Sequence, residues 1–276
     1  MNSVLRELGH GDLVEVDALR ASIGWGAGSW FLEPLLDSGG TVLGRRDVGG
    51  AIDAMGATAR FGNAGFICNM VVRSELKRQG AGTVVFGGLL DWLATQGIRQ
   101  VQLEATEEGK GLYEKFGFRA RWDSVLGHAS QPVEPGDGRG IADVAGEEEW
   151  RALLALDRRA TGSDRGAFLR ALFRSPHEKR VLRLLEGDRL IGFGFRWEGR
   201  IGPLIAETPE AAEKLARALA SCREGVVIAS IGHPMHAAMW EGLGFVIEPL
   251  DVRMVLGPAM ADEPGMVVAM LNGAVG

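Results

Sequence analysis

The chain has 276 residues, enough for two domains of ordinary size or one large one. A hydrophobic share of 46% and a charged share of 24% suit packed cores and exclude a disordered chain. The net charge of −6 leaves no basic footprint for nucleic acid or an anionic lipid surface, and favours, if anything, a cationic ligand.

Hydrophobic periodicity predicts a short strand around Val4–Leu8, a helix over Leu13–Ser22 and a second helical piece over Trp30–Asp37. Strand-like runs follow at Thr41–Arg46, Gly50–Arg60 and Phe66–Val72. A glycine loop leads into a helix over about Gly82–Gln96. Val101–Ala105 alternates like a strand, Leu112–Phe116 reads as a short helix and Phe118–Leu126 as a strand. Gln131–Gly140 is dominated by proline and glycine and reads as a linker. Beyond it the same grammar returns: helices at Glu147–Ala160 and Phe168–Phe173, then strands at Val181–Glu186, Arg189–Arg196 and Gly202–Ala206. Pro209–Ser221 is a helix, Val226–Ile231 a strand, His236–Leu243 a helix and Phe245–Leu256 a strand. One segment aligns between the halves: Leu112-Tyr-Glu-Lys-Phe-Gly-Phe118 with Met239-Trp-Glu-Gly-Leu-Gly-Phe245. With the matching order of elements around it, this indicates an internal duplication.

Cys68 and Cys222 each sit in an apolar run and read as buried thiols of a reducing compartment. Zinc spacing is absent, so no metal is expected. The N-terminus lacks an apolar signal core, and no stretch nears the roughly 20 apolar residues of a membrane span. A cytoplasmic protein without membrane partner is the expectation.

The richest stretch is Asn69–Thr83. An apolar strand runs into a charged turn, then Gly80-Ala81-Gly82, then an apolar helix. Glycines there allow close approach of a ligand. Free amides and the helix dipole at that start favour a phosphate, with Lys77 and Arg78 adding charge. The glycines by themselves fit equally a tight turn with a solvated basic face. A Walker loop is excluded, because Thr83 follows Gly82 with no lysine between. A dinucleotide fingerprint is nearer, with Glu104 about 20 residues on, but Val85 holds its third glycine position and Val72 to Gly80 is too long a turn.

Lys77-Arg-Gln-Gly-Ala-Gly82 after Met70–Val72 resembles the pyrophosphate-binding motif of the GNAT N-acetyltransferase superfamily, with Lys77 in place of the usual arginine or glutamine. The resemblance implies that Lys77, Arg78, Gln79, Gly80, Ala81, Gly82 and Thr83 hold the pyrophosphate of acetyl-CoA, and that Met70, Val71 and Val72 pair with its pantetheine arm. Tyr113, the single tyrosine, falls in a segment similar to the family's Leu-Tyr-Glu-x-x-Gly-Phe, which implies a hydroxyl donating to the CoA sulfur. A phenol, pKa about 10, keeps its proton at neutral pH where a thiol, about 8.5, is easily ionised. Tyr113 also suits a core aromatic packed on Phe116 and Phe118. Thr106 stands where the family often has asparagine and is carried as a cofactor contact.

The proton acceptor for the amine is open among Glu104, His128, Asp53 and a held water. Trp25 and Trp30 lie in a segment that lines the acceptor site in this superfamily, and suit equally a core staple. Neither cysteine has an activated setting, so no acyl-cysteine is expected. The C-terminal helix begins Ala206-Glu-Thr-Pro-Glu210, without glycines, and Glu207 and Glu210 would repel phosphate. Trp240 stands at the tyrosine position. That copy is expected to lack a CoA site. It resembles the second domain of tandem GNAT proteins at Thr161–Arg165, Gly202-Pro203 and Arg253-Met254; Asp164, suited to a helix N-cap, is also carried as an acceptor-side residue.

The resemblance thus implies an α/β (α+β) protein of two tandem GNAT-like domains, 1–130 and 141–276, each a mixed, mostly antiparallel twisted sheet flanked by helices. The expected activity is acetyl transfer to a primary amine of a small molecule by a monomer or homodimer. A non-catalytic CoA-binding sensor and a dinucleotide-dependent enzyme are the alternatives.

Overall fold

A computed structural model describes residues 5–175, 179–197, 199–221 and 226–273. Their elements are β1 (Leu5–Leu8), α1 (Leu13–Ser22), α2 (Ser29–Asp37), β2 (Thr41–Arg46), β3 (Ile52–Phe61), β4 (Ala64–Val72), α3 (Ala81–Thr95) and β5 (Gln100–Ala105). Then come α4 (Glu107–Lys115), β6 (Arg119–Ala129), β7 (Ile141–Asp143), α5 (Glu147–Thr161), α6 (Gly166–Arg174), β8 (Lys179–Glu186), β9 (Arg189–Trp197) and β10 (Arg200–Ala206). The chain closes with α7 (Pro209–Ala220), β11 (Val227–Ile231), α8 (Ala237–Gly242), β12 (Val246–Leu256) and β13 (Val267–Ala269). The predicted linker carries no regular element, but Val133 within it is buried in a hydrophobic core. Two strands escape the periodicity, β7 and β13, each too short at 3 residues to show alternation.

The chain folds as two compact units that do not divide at the linker. One takes the chain through Leu103 with Arg165–Ser175 and Leu256–Pro258; the other takes Glu104–Asp164, 176–255 and the chain from Ala259. Helix α6 therefore belongs to the first unit, where it packs on α2 and sets Phe168 against Phe61 at 5.7 Å between ring centroids. Strand β6 belongs to the second, between β11 and β12, antiparallel to both.

In the first unit β1 to β4 form an antiparallel meander, and β5 joins β4 in parallel. β3 is buried on both faces, with α1 and α3 packed against it. Its alanines and Gly56 keep it thin. A Cβ at Gly56 would meet the Met70 sulfur and come 2.8 Å from Leu89 and 3.2 Å from Val85 of α3. In the second unit the strand order is β12-β6-β11-β10-β9-β8-β7, with β13 on β10. The pairing is antiparallel except β10 with β11. Helices α5 and α7 cover it over a core that includes Leu204, Leu215, Leu219 and Trp240.

The repeated segment folds alike at its two places, both in the second unit. Gly117 and Gly244 each stand at φ 87°, where glycine ends a helix without steric cost. The Phe118 amide donates to the Tyr113 carbonyl at 3.1 Å, and Phe245 to Trp240 at 3.0 Å. Each aromatic then packs on the phenylalanine after the glycine. Gly56→Val is expected to overpack the face between β3 and α3 and cost about 2 kcal/mol, seen as a lower urea midpoint with an unchanged slope.

Candidate active site

β4 pairs with β5 only from Ala64↔Gln100 to Phe66↔Gln102, so the residues from Ile67 to Val72 have no ladder partner on that edge among the described residues. On its other edge β4 carries a bulge. Val71 faces Met55 while Cys68 faces Ala57, and Asn69 takes the extra place at φ 57°. Asn69 is buried, and its Oδ1 accepts from Nη1 of Arg20 on α1. Cys68, next to it, is buried with its thiol pushed up to about 12 by desolvation, which keeps it inert; Cys222 lies outside the described residues.

After β4 the Arg73 amide returns to the Asp53 carbonyl at 2.9 Å and a 3-10 turn spans Ser74–Leu76. Arg78 at φ 61° and Gly80 at φ 86° then swing the backbone into α3. The Gln79 carboxamide donates to the Glu75 carbonyl at 2.7 Å and braces the turn. Lys77, Arg78, Gln79 and Gly80 are exposed. No side chain caps α3 among the described residues, and nothing stands within 4 Å of where a Cβ on Gly80 would lie. The first-turn amides are therefore left for an outside acceptor at the positive end of the helix. This open, basic, amide-lined turn fits a diphosphate.

Trp25 is 38% exposed, in the loop after α1, and Trp30 packs edge-on against Phe31 at 5.0 Å. The carboxylate of Asp53 is buried and clamped by Arg45 through two hydrogen bonds of 2.8 Å, so it is committed to an ion pair.

In the second unit Tyr113 is buried on α4, 7% exposed. Thr106 caps that helix, its hydroxyl accepting from the Gly109 amide at 3.2 Å. A Cβ on Gly109 would come 3.3 Å from the Tyr113 hydroxyl, so glycine leaves that oxygen its space. The Glu104 side chain is wholly buried; Arg253 donates to one oxygen and Ser124 to the other at 2.8 Å. Both its oxygens are thus engaged within the fold rather than open to an amine. Asp251, close by on β12, is pushed up to about 7 by burial and by the Glu104 charge. His128 sits in the β6 ladder opposite Ile228 and Val246. Asp164 is 54% exposed and 3.8 Å from Arg158; the N-cap of α6 is Arg165, so the expected capping role falls away. The Thr161–Arg165 segment ends α5, with Thr161 donating to the Asp157 carbonyl and Gly162 at φ 64°.

The acetyltransferase (GNAT) domain description matches this chain twice, over residues 48–127 and 153–269. The chain belongs to the GNAT acetyltransferase family. The uncharacterized N-acetyltransferase YitH of Bacillus subtilis is 28% identical to this GNAT chain, over 69% of it and 68% of the relative. A putative acetyltransferase from Pyrococcus horikoshii has the same fold at TM-score 0.84 and 22% identity, covering 99% of this chain and 95% of that one. A tandem GNAT protein from the clavulanic acid biosynthesis pathway matches at TM-score 0.64 and 14% identity, covering 95% and 99%.

The second GNAT copy closes its own helix start. Thr208 caps α7 by accepting from the Ala211 amide at 3.2 Å, and Pro209 offers no amide. Burial works against the Glu207 carboxylate, yet hydrogen bonds from Arg159 and Arg189 hold it below the usual range. Trp240 is fully buried, with its indole N–H directed at the Val268 carbonyl. The antiparallel pairing of β3 with β4 also departs from the parallel surroundings of a dinucleotide fingerprint.

Sequence reasoning missed Arg20, Asn69 and Asp251. The one available signal was a single amide residue, Asn69, inside the apolar run of β4. Asp251 gives a pH test. Its unfolded value is near 4, so ionisation disfavours the fold increasingly as pH rises from 4 to 7. Asp251→Asn removes that cost: its melting temperature should match the parent at pH 4 and exceed it at pH 7.5. A constant difference across that range would contradict the assignment.

Proposed function

We propose that this protein acetylates a primary amine of a small molecule, with acetyl-CoA as cosubstrate, in the cytoplasm. The observation that carries the reading is the uncapped start of α3, reached from a strand edge that β5 leaves unpaired. The amides from Gly80 to Thr83, with Lys77 and Arg78, are suited to the diphosphate. The open edge of Met70, Val71 and Val72 is suited to an amide-bearing arm.

Bound acetyl-CoA supplies the acyl group as a thioester that a neutral amine can attack directly. Tyr113 holds a proton on its phenol at neutral pH and delivers it to the departing thiolate. Cys68, sealed and protonated, offers no nucleophile, which favours a ternary complex over an acyl-enzyme. With Glu104 and Asp53 locked in ion pairs, the amine's proton leaves through another group or through water.

Tyr113→Phe should lower kcat by about 100-fold while the acetyl-CoA Kd stays within about twofold. Unchanged turnover would remove Tyr113 from the reaction. Gly82→Glu puts a carboxylate at the helix start and should abolish the thermal stabilisation by acetyl-CoA, about 2.7 kcal/mol at 100 times Kd for the parent. A CoA-binding protein without turnover would show that stabilisation yet release no CoA with any amine.

A further inference from the structure

The first unit holds a largely buried guanidinium whose ion pair is loose, with Asp17 at 4.0 Å. Arg20 is 8% exposed at the end of α1. Its Nε donates to the Gly26 carbonyl at 2.8 Å, and its Nη1 to Asn69 Oδ1. The Trp25 and Phe31 rings lie 5.3 and 5.6 Å from its central carbon. Gly28 makes the space: a Cβ there would come 2.7 Å from Nε. Among the described residues the carboxylate paired with it is Asp17, 4.0 Å away and already accepting from the Gly28 amide at 2.6 Å. Burial accordingly draws the guanidinium below its ordinary pKa.

Two N–H donors of this pair have no protein acceptor among the described residues. Nη2 of Arg20 makes no hydrogen bond among the described residues and is not sealed from solvent. Asn69 Nδ2 is sealed and has no partner, and its orientation is set because Oδ1 must face Arg20. A guanidinium N–H that faces solvent from a largely buried cation suits an anionic oxygen ligand. Asn69 immediately precedes Met70 on the strand edge that β5 leaves unpaired, so this spot adjoins the proposed acyl channel along the chain itself. Trp25 flanks it with a partly exposed ring.

We infer that Arg20 anchors a carboxylate of the acceptor, so that the acceptor is an amine that also carries a carboxylate, such as an amino acid. This rests on the acetyl-transfer reading and narrows its substrate class. The fork of a guanidinium fixed by Gly26 and Asn69 binds a carboxylate with little loss of freedom, which a lysine does not reproduce.

The test compares CoA release from matched acceptors: lysine against cadaverine, phenylalanine against phenethylamine, glycine against methylamine. In at least one pair the parent enzyme should prefer the carboxylate-bearing member by tenfold or more in kcat/KM. Arg20→Met should erase that preference by raising KM for the carboxylate-bearing member, with the acetyl-CoA KM within about twofold. Arg20→Lys should restore part of it, and serves if the methionine variant does not fold. Equal or reversed preference in every pair that reacts overturns the carboxylate anchor and leaves acetyl transfer standing. Stabilisation by acetyl-CoA with no CoA release from any pair overturns acetyl transfer and the anchor with it.

Discussion

A helix that begins without a capping side chain leaves several amides aimed at one point, and the first-unit site depends on that arrangement at Ala81. Two backbone conformations create it. Arg78 adopts a left-handed conformation that most residues avoid, and Gly80 follows in a similar one. The amides exposed by that turn stay available to an outside acceptor. The second copy shows the alternative with the same architecture: Thr208 and Pro209 satisfy the corresponding helix start from within. The two copies thus differ in a few residues at a helix terminus, one start open and the other closed by its own side chain.

The strand leading into that turn has a second consequence. By leaving β5 after Phe66, β4 exposes backbone on one edge while remaining in register with β3 on the other. The bulge at Asn69 changes the phase of the side chains along β4 and turns a carboxamide toward α1. Arg20 and Asn69 are far apart in sequence and neither fits a family motif. They meet because a buried guanidinium needs oxygen acceptors on several sides. The same requirement sorts the acids. Glu104 and Asp53 are held by arginines as structural carboxylates, whereas Asp251, beside Glu104 and without an ion-pair partner among the described residues, is a carboxyl whose ionisation the fold resists.

Much of this protein was legible in the amino-acid order. The helices α1 and α3 and the strand β2 have local periodicity and sharp glycine or charged boundaries, and they form where that periodicity predicts. The glycine turn and Tyr113 are local motifs, legible through their resemblance to a family pattern, since residue type and spacing alone fit equally a tight turn and a core aromatic. Helix α4 was legible only in its second half, because Gly109 and Gly111 mask a start that Thr106 supplies. Strand β6 runs on to Ala129 because Val227, nearly a hundred positions away, pairs with it. Tertiary structure alone decided that β6 joins the second unit and α6 the first, that Arg20 finds Asn69, and that Glu104 is sealed by Arg253. Local order encodes torsional preference and hydrophobic period, which act over a few residues. Pairing of strand edges and compensation of buried charge depend on partners that only the folded chain brings together.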